Sequence, residues 1–374
     1  MHIGFIEDTH LHGGTQIWVT EAVQAFIERG HEVTVIAPHK SWVAEQCHLA
    51  GAHIATYDWD EIVHESSDDI KIWANALRDC DVAICTVHPP RGGFHCSVFA
   101  ARCIREENLS THLIPKTGTI VPDYLREFYL PDESINASIV TITDFTRRYL
   151  IETYKIPSDK VSLIYQGTEV DRFQSSNSGK EEAQKRYPLP ANASPILGSL
   201  GSFEPRKGHI VLFETLRELA NGAFPNIHLI MVGDGPDEEL LKAKAIELGL
   251  TNHISFFPFT DEPNYVFELL DITVLPSLYK EGLPNVLLES MAMGVPVVSS
   301  NIGGVAELVI DGETGYTVEP GKKAALKFAI DRLWTDQKKY QAMKLKVRSF
   351  VAQNFNKIAQ FDQFLMHFHE LIKS

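Results

Sequence analysis

The chain has 374 residues, 44% hydrophobic and 22% charged, with a formal net charge of −15. That length exceeds one compact core and predicts two domains, while the composition is that of an ordinary globular protein. The acidic balance excludes nucleic acid and anionic lipid as default partners, because both are repelled at long range.

The chain opens on the strand-like "MHIGFIEDTH", with no basic segment ahead of an apolar run, so no signal peptide is expected. After a loop, Val19, Ala22, Val23, Phe26 and Ile27 recur at the spacing of an amphipathic helix. The helix is predicted to stop at Gly30, and "HEVTVIAP" follows as a buried strand, giving a strand–helix–strand unit and hence a parallel sheet. The strands "DVAICTV", "HLIPKTG", "SIVTIT" and "VSLIYQG" continue the pattern, and "FTRRYLIETYK" reads as a solvated helix face.

"QSSNSGKEEAQKRYPLPANASP" is polar and lacks apolar periodicity, so it is read as a linker. Beyond it the alternation restarts with "ILGSLGS", "IHLIMVG", "ISFFPF", "ITVLPS" and "VPVVSS" as strands separated by helical patterns. From about Lys323 the tail is helical throughout. The expected organisation is a domain over 1–173, a linker over 174–194, a second domain over 195–352 and a terminal helix over 353–374. Both domains are expected to be doubly wound α/β, facing a cleft at the carboxyl ends of their strands, where such sheets bind ligands.

The five cysteines (Cys47, Cys80, Cys85, Cys96, Cys103) are odd in number and form no C-x-x-C pair, which excludes a disulfide framework and fits a reducing, cytoplasmic compartment. No apolar stretch reaches the ~18 residues of a membrane span. G-x-S-x-G, P-loop and G-x-G-x-x-G sequences are all missing, against hydrolase, NTPase and dehydrogenase readings. His88, His95 and Cys96 fit no zinc spacing, and "DWD" at Asp58–Asp60 reads as a surface turn rather than a metal–nucleotide clamp, so no metal is expected.

Three loops have the form of a phosphate cradle at a helix start. In "HLHGGTQ", Gly13 and Gly14 would allow a ligand close to the backbone; the alternative is a glycine turn without one. In "GSFEPRKGHI", Arg206 and Lys207 precede a helix, either as diphosphate ligands or as a solvated basic pair. The third is "KEGLPNVLLESMAMGVPVVSS", with Glu281 and Glu289 on either side of the apolar run "VLL". In "VGDGPDEEL", Asp237, Glu238 and Glu239 suit a helix first turn, so capping and ligand contact stay open.

"VGDGP", "PSLYKEGLPNVLLESMAMGVPVVSS" and "NIGGVAELVIDGETGYTV", all within Ile227–Pro320, together closely resemble glycosyltransferase family 4. Weaker likeness at Gly13–Gly14, "TDFTRRYL" and "IYQGTEVDRF" extends it over nearly the whole chain. The resemblance implies the GT-B fold, with a last helix crossing back to the first domain. It also implies retaining transfer of a sugar from a nucleotide diphosphate donor, UDP- or GDP-linked, to an unidentified acceptor, with no cofactor.

It assigns Glu281 to the donor sugar's hydroxyls, Gly282 and Leu283 to backbone contacts with sugar and diphosphate, and Glu289 to the ribose hydroxyls. Lys207 falls on the diphosphate, with Ser202 standing where the family carries Arg and Arg206 adjacent. Gly13 and Gly14 face phosphate, and Phe259 lies near the base. Glu281 and Lys207 are the expected catalytic residues. Where many members carry a His near the reacting sugar, this chain has Gly118, with His88 ending the preceding strand. Those departures keep two alternatives open, a non-catalytic sugar-nucleotide binding protein and a nucleotide-sugar epimerase.

Overall fold

Val82–Val87 and His228–Val232 are buried at every position. A strand apolar on both faces needs helices on both faces, and that requirement shapes the whole chain. The computed structural model describes residues 1–10, 13–58, 67–87, 94–118, 120 and 126–373. It forms two units, Met1–Tyr165 with Ala359–Ser374, and Gln166–Ile358.

The first unit holds β1 (His2–Ile6), β2 (Glu32–Pro38), β3 (His53–Tyr57), β4 (Val82–Val87), β5 (His112–Thr117), β6 (Ile139–Thr141) and β7 (Val161–Leu163). They pair in parallel in the order β3-β2-β1-β4-β5-β6-β7. The direction of winding therefore reverses between β1 and β4. One face packs on a core containing Trp73, Phe99 and Tyr129, the other on a core containing Trp18 and Phe26. The helix Gly14–Glu28 covers the second face and ends at Gly30, whose φ of +81° supplies the left-handed stop.

The last helix, Lys357–Lys373, sends Phe361, Phe364 and Phe368 into that second core. Their spacing places all three on one stripe, with Phe364 5.4 Å from Trp18 and Phe368 5.9 Å from Phe26 between ring centroids. Each fully buried Phe is worth about 1.5–3 kcal/mol of apolar transfer.

The second unit holds β8 (Ile196–Leu200), β9 (His228–Val232), β10 (Ile254–Phe257), β11 (Ile272–Leu275), β12 (Val297–Ser300) and β13 (Gly315–Val318). Its parallel order is β10-β9-β8-β11-β12-β13, so winding reverses between β8 and β11. The stretch expected as a linker carries a helix, Asn177–Arg186, capped by the Ser176 hydroxyl accepting from the Gly179 amide at 2.9 Å. It buries only Ala183 along its length, so it has no apolar stripe for periodicity to detect. The helical tail is three helices, Lys323–Thr335, Gln337–Asn354 and Lys357–Lys373. Among the described residues no helix is long and apolar enough to cross a membrane.

Candidate active site

In an open parallel sheet the strand order leaves a crevice where winding reverses, outside the carboxyl ends of the two strands. In the second unit those strands are β8 and β11. The loop after β8 carries Ser202, Glu204, Arg206 and Lys207, and the loop after β11 carries Ser277, Lys280, Glu281 and Gly282.

Backbone contacts lock the two loops together. Gly208 has φ +68°, and a Cβ there would lie 2.2 Å from the Pro276 carbonyl oxygen, so no other residue fits. Beside it the Leu278 amide donates to the Arg206 carbonyl at 2.7 Å. From the other side, a Cβ on Gly303 (φ +57°) would meet the Glu281 carbonyl oxygen at 1.8 Å. The next amide, Gly304, donates to the Gly282 carbonyl at 3.0 Å.

On this frame the charged side chains converge. Glu281 Oε1 accepts from Lys207 Nζ at 2.7 Å, from Ser277 Oγ at 2.7 Å and from Arg206 Nη1 at 3.2 Å. Arg206 Nη2 also pairs with Glu204 Oε1 at 2.8 Å, and the Ser202 hydroxyl donates to the same oxygen. Burial pushes the Glu204 carboxyl up, but the Ser202 hydrogen bond and the Arg206 charge outweigh it and hold it below the usual range. Side-chain exposure is 12% for Lys207 and 9% for Glu281, so this ion pair is largely out of water. Lys280, with φ +60°, takes a strained left-handed backbone and turns its carbonyl to Arg206 Nη1 at 3.3 Å. The basic pair is neither solvated nor open; the protein's own carboxylates neutralise it.

The other expected residues take distinct places. Glu289 lies in the second turn of the helix Asn285–Ala292, half-buried, while Leu287, Leu288 and Met291 of that helix enter the core. Leu283 is buried. Phe259, beyond the end of β10, is 65% exposed.

Gly233 and Gly235 of "VGDGP" support the loop after β8. Each has φ +150°, and added Cβ atoms would meet the Gly201 carbonyl oxygen at 2.0 Å and the Phe203 carbonyl oxygen at 2.5 Å. Asp237 makes no side-chain cap on the following helix, and its amide donates to the Phe203 carbonyl at 3.0 Å. Sequence reading missed Ser277 and Glu204 as members of the cluster. "PSL" lay inside the resembling motif, but its hydroxyl had no role until the fold supplied a partner.

In the first unit Gly13 caps the helix Gly14–Glu28 in an extended conformation open to any residue. A Cβ there would have the Gln16 Oε1 atom at 3.5 Å as its nearest neighbour, so the protein's own packing does not require glycine. Asp60 and His88 lie outside the described residues, as does the His95 side chain. Two charged residues near this loop were not singled out in the sequence. Glu7 is fully buried, accepting from Gln16 Nε2 at 2.7 Å. Lys116 is buried with its ammonium 3.7 Å from the Trp18 ring centroid. Burial lowers the Lys116 ammonium to about 7 against the opposing pull of Glu7.

Residues 180–350 match the family model described as Glycosyl transferases group 1. A GDP-mannose-dependent alpha-(1-6)-phosphatidylinositol monomannoside mannosyltransferase of Mycolicibacterium smegmatis is 31% identical over 230 residues, covering 59% of this chain and 59% of that protein. The chain thus spans less than two thirds of that relative. A phosphatidyl-myo-inositol mannosyltransferase of Mycobacterium leprae is 27% identical over 85% of this chain and 83% of its own length. Among solved structures, a glycosyltransferase of Rickettsia africae superposes with a TM-score of 0.85 at 21% identity, over 100% of this chain and 99% of its own. The Anabaena HepE protein in complex with UDP superposes with a TM-score of 0.86 at 17% identity, over 99% of this chain and 100% of its own. At these identities the two structures show the fold.

Proposed function

We propose that this chain is a group 1 glycosyltransferase of the GT-B type and that it transfers a sugar from a nucleotide diphosphate donor to an acceptor with retention at the anomeric carbon. The observation that carries the reading is the convergence of Lys207, Arg206 and Ser277 on Glu281, at the winding reversal between β8 and β11. A cation pair facing a carboxylate at a strand-end crevice suits an anionic ligand that exchanges with that carboxylate.

In the reaction the bond from the anomeric carbon to the diphosphate oxygen breaks and an acceptor oxygen takes its place, its proton passing to the departing diphosphate. Negative charge collects on the diphosphate while the sugar ring gains positive charge. Lys207 and Arg206 stabilise the leaving charge, and this preorganised electrostatic effect is the largest catalytic contribution expected here. The start of the helix His209–Ala220 helps, because Gly208 caps it without a side chain and leaves its first N–H groups available.

Glu281, released from Lys207, faces the sugar. Glu289 takes the ribose hydroxyls, Gly282 and Leu283 offer backbone contacts, and Ser202 borders the diphosphate. Phe259 presents an exposed ring to the base. In the first unit, Gly13 and Gly14 offer backbone to phosphate. A GDP-mannose-dependent relative and a fold neighbour holding UDP support GDP and UDP as the donor nucleotides to try first.

The test is thermal denaturation against a panel of UDP-, GDP- and ADP-sugars, followed by measurement of nucleoside diphosphate release with candidate acceptors. A donor at 100 times its Kd adds about 2.7 kcal/mol of stability. Failure of every nucleotide sugar to stabilise the chain would defeat the reading. Donor binding without release under any acceptor would favour a binding protein, and a changed sugar still on its nucleotide would favour an epimerase.

A further inference from the structure

At the carboxyl ends of β1, β4 and β5 the first unit buries a polar row. Ile6 of β1 pairs with Cys85 of β4, so Glu7 stands beside Thr86, and Thr86 pairs with Lys116 of β5. Glu7, Thr86 and Lys116 are 0%, 2% and 6% exposed. The Thr86 hydroxyl donates to one oxygen of the Glu7 carboxylate, and Gln16 Nε2 donates to the other. The Glu7 backbone is held as well, its amide on the Ile36 carbonyl at 2.9 Å and its carbonyl under the Tyr57 hydroxyl at 2.8 Å. Lys116 lies against the Trp18 ring. Gln16 and Trp18 both belong to the first turns of the helix Gly14–Glu28. The sheet thus grips the beginning of that helix with one buried glutamate and one buried lysine.

Burying polar and ionisable side chains costs free energy that apolar side chains of similar volume would not, so stability does not account for this row. A polar grip fixes a single register, which apolar packing leaves looser.

We propose that Glu7 and Lys116 are positioning residues that fix where the helix Gly14–Glu28 begins, and so hold the Gly13–Gly14 backbone in place for the donor's phosphate. The proposal rests on the transferase reading for its purpose, but the positioning itself is measurable without a donor.

The experiment is amide hydrogen exchange on the full chain without ligand, comparing wild type, Glu7→Gln and Gln16→Ala. Glu7→Gln keeps the shape and removes the charge; Gln16→Ala cuts the tether to Glu7 while keeping every residue of the row, should the first variant fold poorly. Exchange over residues 15–20 is expected to quicken about tenfold in both variants, with the other amides of the unit unchanged. With a donor and acceptor in hand, the same variants should lose kcat by on the order of 10–10²-fold at nearly unchanged donor KM. Unchanged exchange over residues 15–20 overturns the proposal whether or not the enzyme is active. Faster exchange with wild-type kcat and KM also overturns it, reducing the row to a structural feature. A wild type that transfers no sugar sinks the transferase reading instead, while the exchange result still decides the positioning.

Discussion

The Lys207 ammonium lies 2.7 Å from Oε1 of Glu281, an oxygen that also accepts from Ser277 and Arg206. The cations that would hold a diphosphate are therefore occupied by a carboxylate of the same chain, and a donor must exchange with it. Glu281→Gln is expected to change product binding and turnover in opposite directions. Without the competing charge, UDP or GDP should bind about tenfold tighter, or ~1.4 kcal/mol by calorimetry. Turnover should fall, because the carboxylate no longer faces the charged sugar in the transition state. Weaker nucleotide binding in this variant would mean that Glu281 holds Lys207 in place for the phosphate and does not compete with it.

Lys207 and Glu289 should separate in steady-state kinetics with varied donor. The charge on the leaving diphosphate grows in the transition state, so Lys207→Ala should cost on the order of 10²–10³ in kcat. The ribose does not react, so Glu289→Ala removes uniform binding, raising donor KM and leaving kcat largely unchanged. A Lys207→Ala enzyme with wild-type kcat would leave this lysine only its structural bond to Glu281.

Gly303 and Gly312 form a matched pair of substitutions in the second unit. Both have positive φ, +57° and +75°, so alanine at either costs about 1–2 kcal/mol of backbone strain. Their surroundings differ. An added Cβ at Gly312 comes tight only against the flexible tip of Lys339, at 3.1 Å, with Tyr316 Cε1 at an ordinary 4.0 Å, whereas at Gly303 it strikes the Glu281 carbonyl at 1.8 Å. Gly303→Ala should therefore displace the Glu281 backbone and abolish stabilisation by a donor sugar nucleotide in thermal denaturation, while Gly312→Ala keeps it. Equal donor stabilisation in the two variants would show that the backbone at Glu281 is not held in a functional position.

Most strands were readable from sequence because a parallel sheet covered on both faces leaves uninterrupted apolar runs, such as "DVAICTV" and "IHLIMVG", whereas the partly buried edge strands β3 and β13 went unread. Gly30 was readable as a stop because its left-handed backbone demands glycine. The helix Asn177–Arg186 was not, since a helix burying one alanine has no periodicity to find. The two glutamates at 281 and 289 stood out by resemblance. The bond from Glu281 to Lys207 did not, because it joins residues 74 apart that only the winding reversal brings together. Glu7 and Lys116 were hidden for a related reason: a charged residue at a strand end reads as solvent-facing until the register shows what lies opposite.

Lys116 gives a pH dependence whose sign can be worked out. Burial lowers its ammonium from the ordinary 10.5 to about 7, with the Glu7 carboxylate pulling the other way. Between those values the unfolded chain binds a proton that the folded chain does not, so stability rises with pH across that window. The slope reaches at most about 1.4 kcal/mol per pH unit for one proton. Lys116→Met fills similar volume and removes it. The window should be read below about pH 9, because the buried thiols of Cys47, Cys80 and Cys103, pushed up from 9.0 to about 12, act in the opposite sense. Their ionisation in the unfolded chain lowers stability as pH rises further. Urea denaturation of wild type and Lys116→Met at half-unit steps from about pH 7 to 8.5 measures the effect. Intrinsic fluorescence follows the relevant unit, since Trp18, Trp42 and Trp73 belong to it. Wild type should gain stability relative to the variant as pH rises. A difference that stays flat would mean that Lys116 remains charged in the folded state, as one half of a closed ion pair with Glu7.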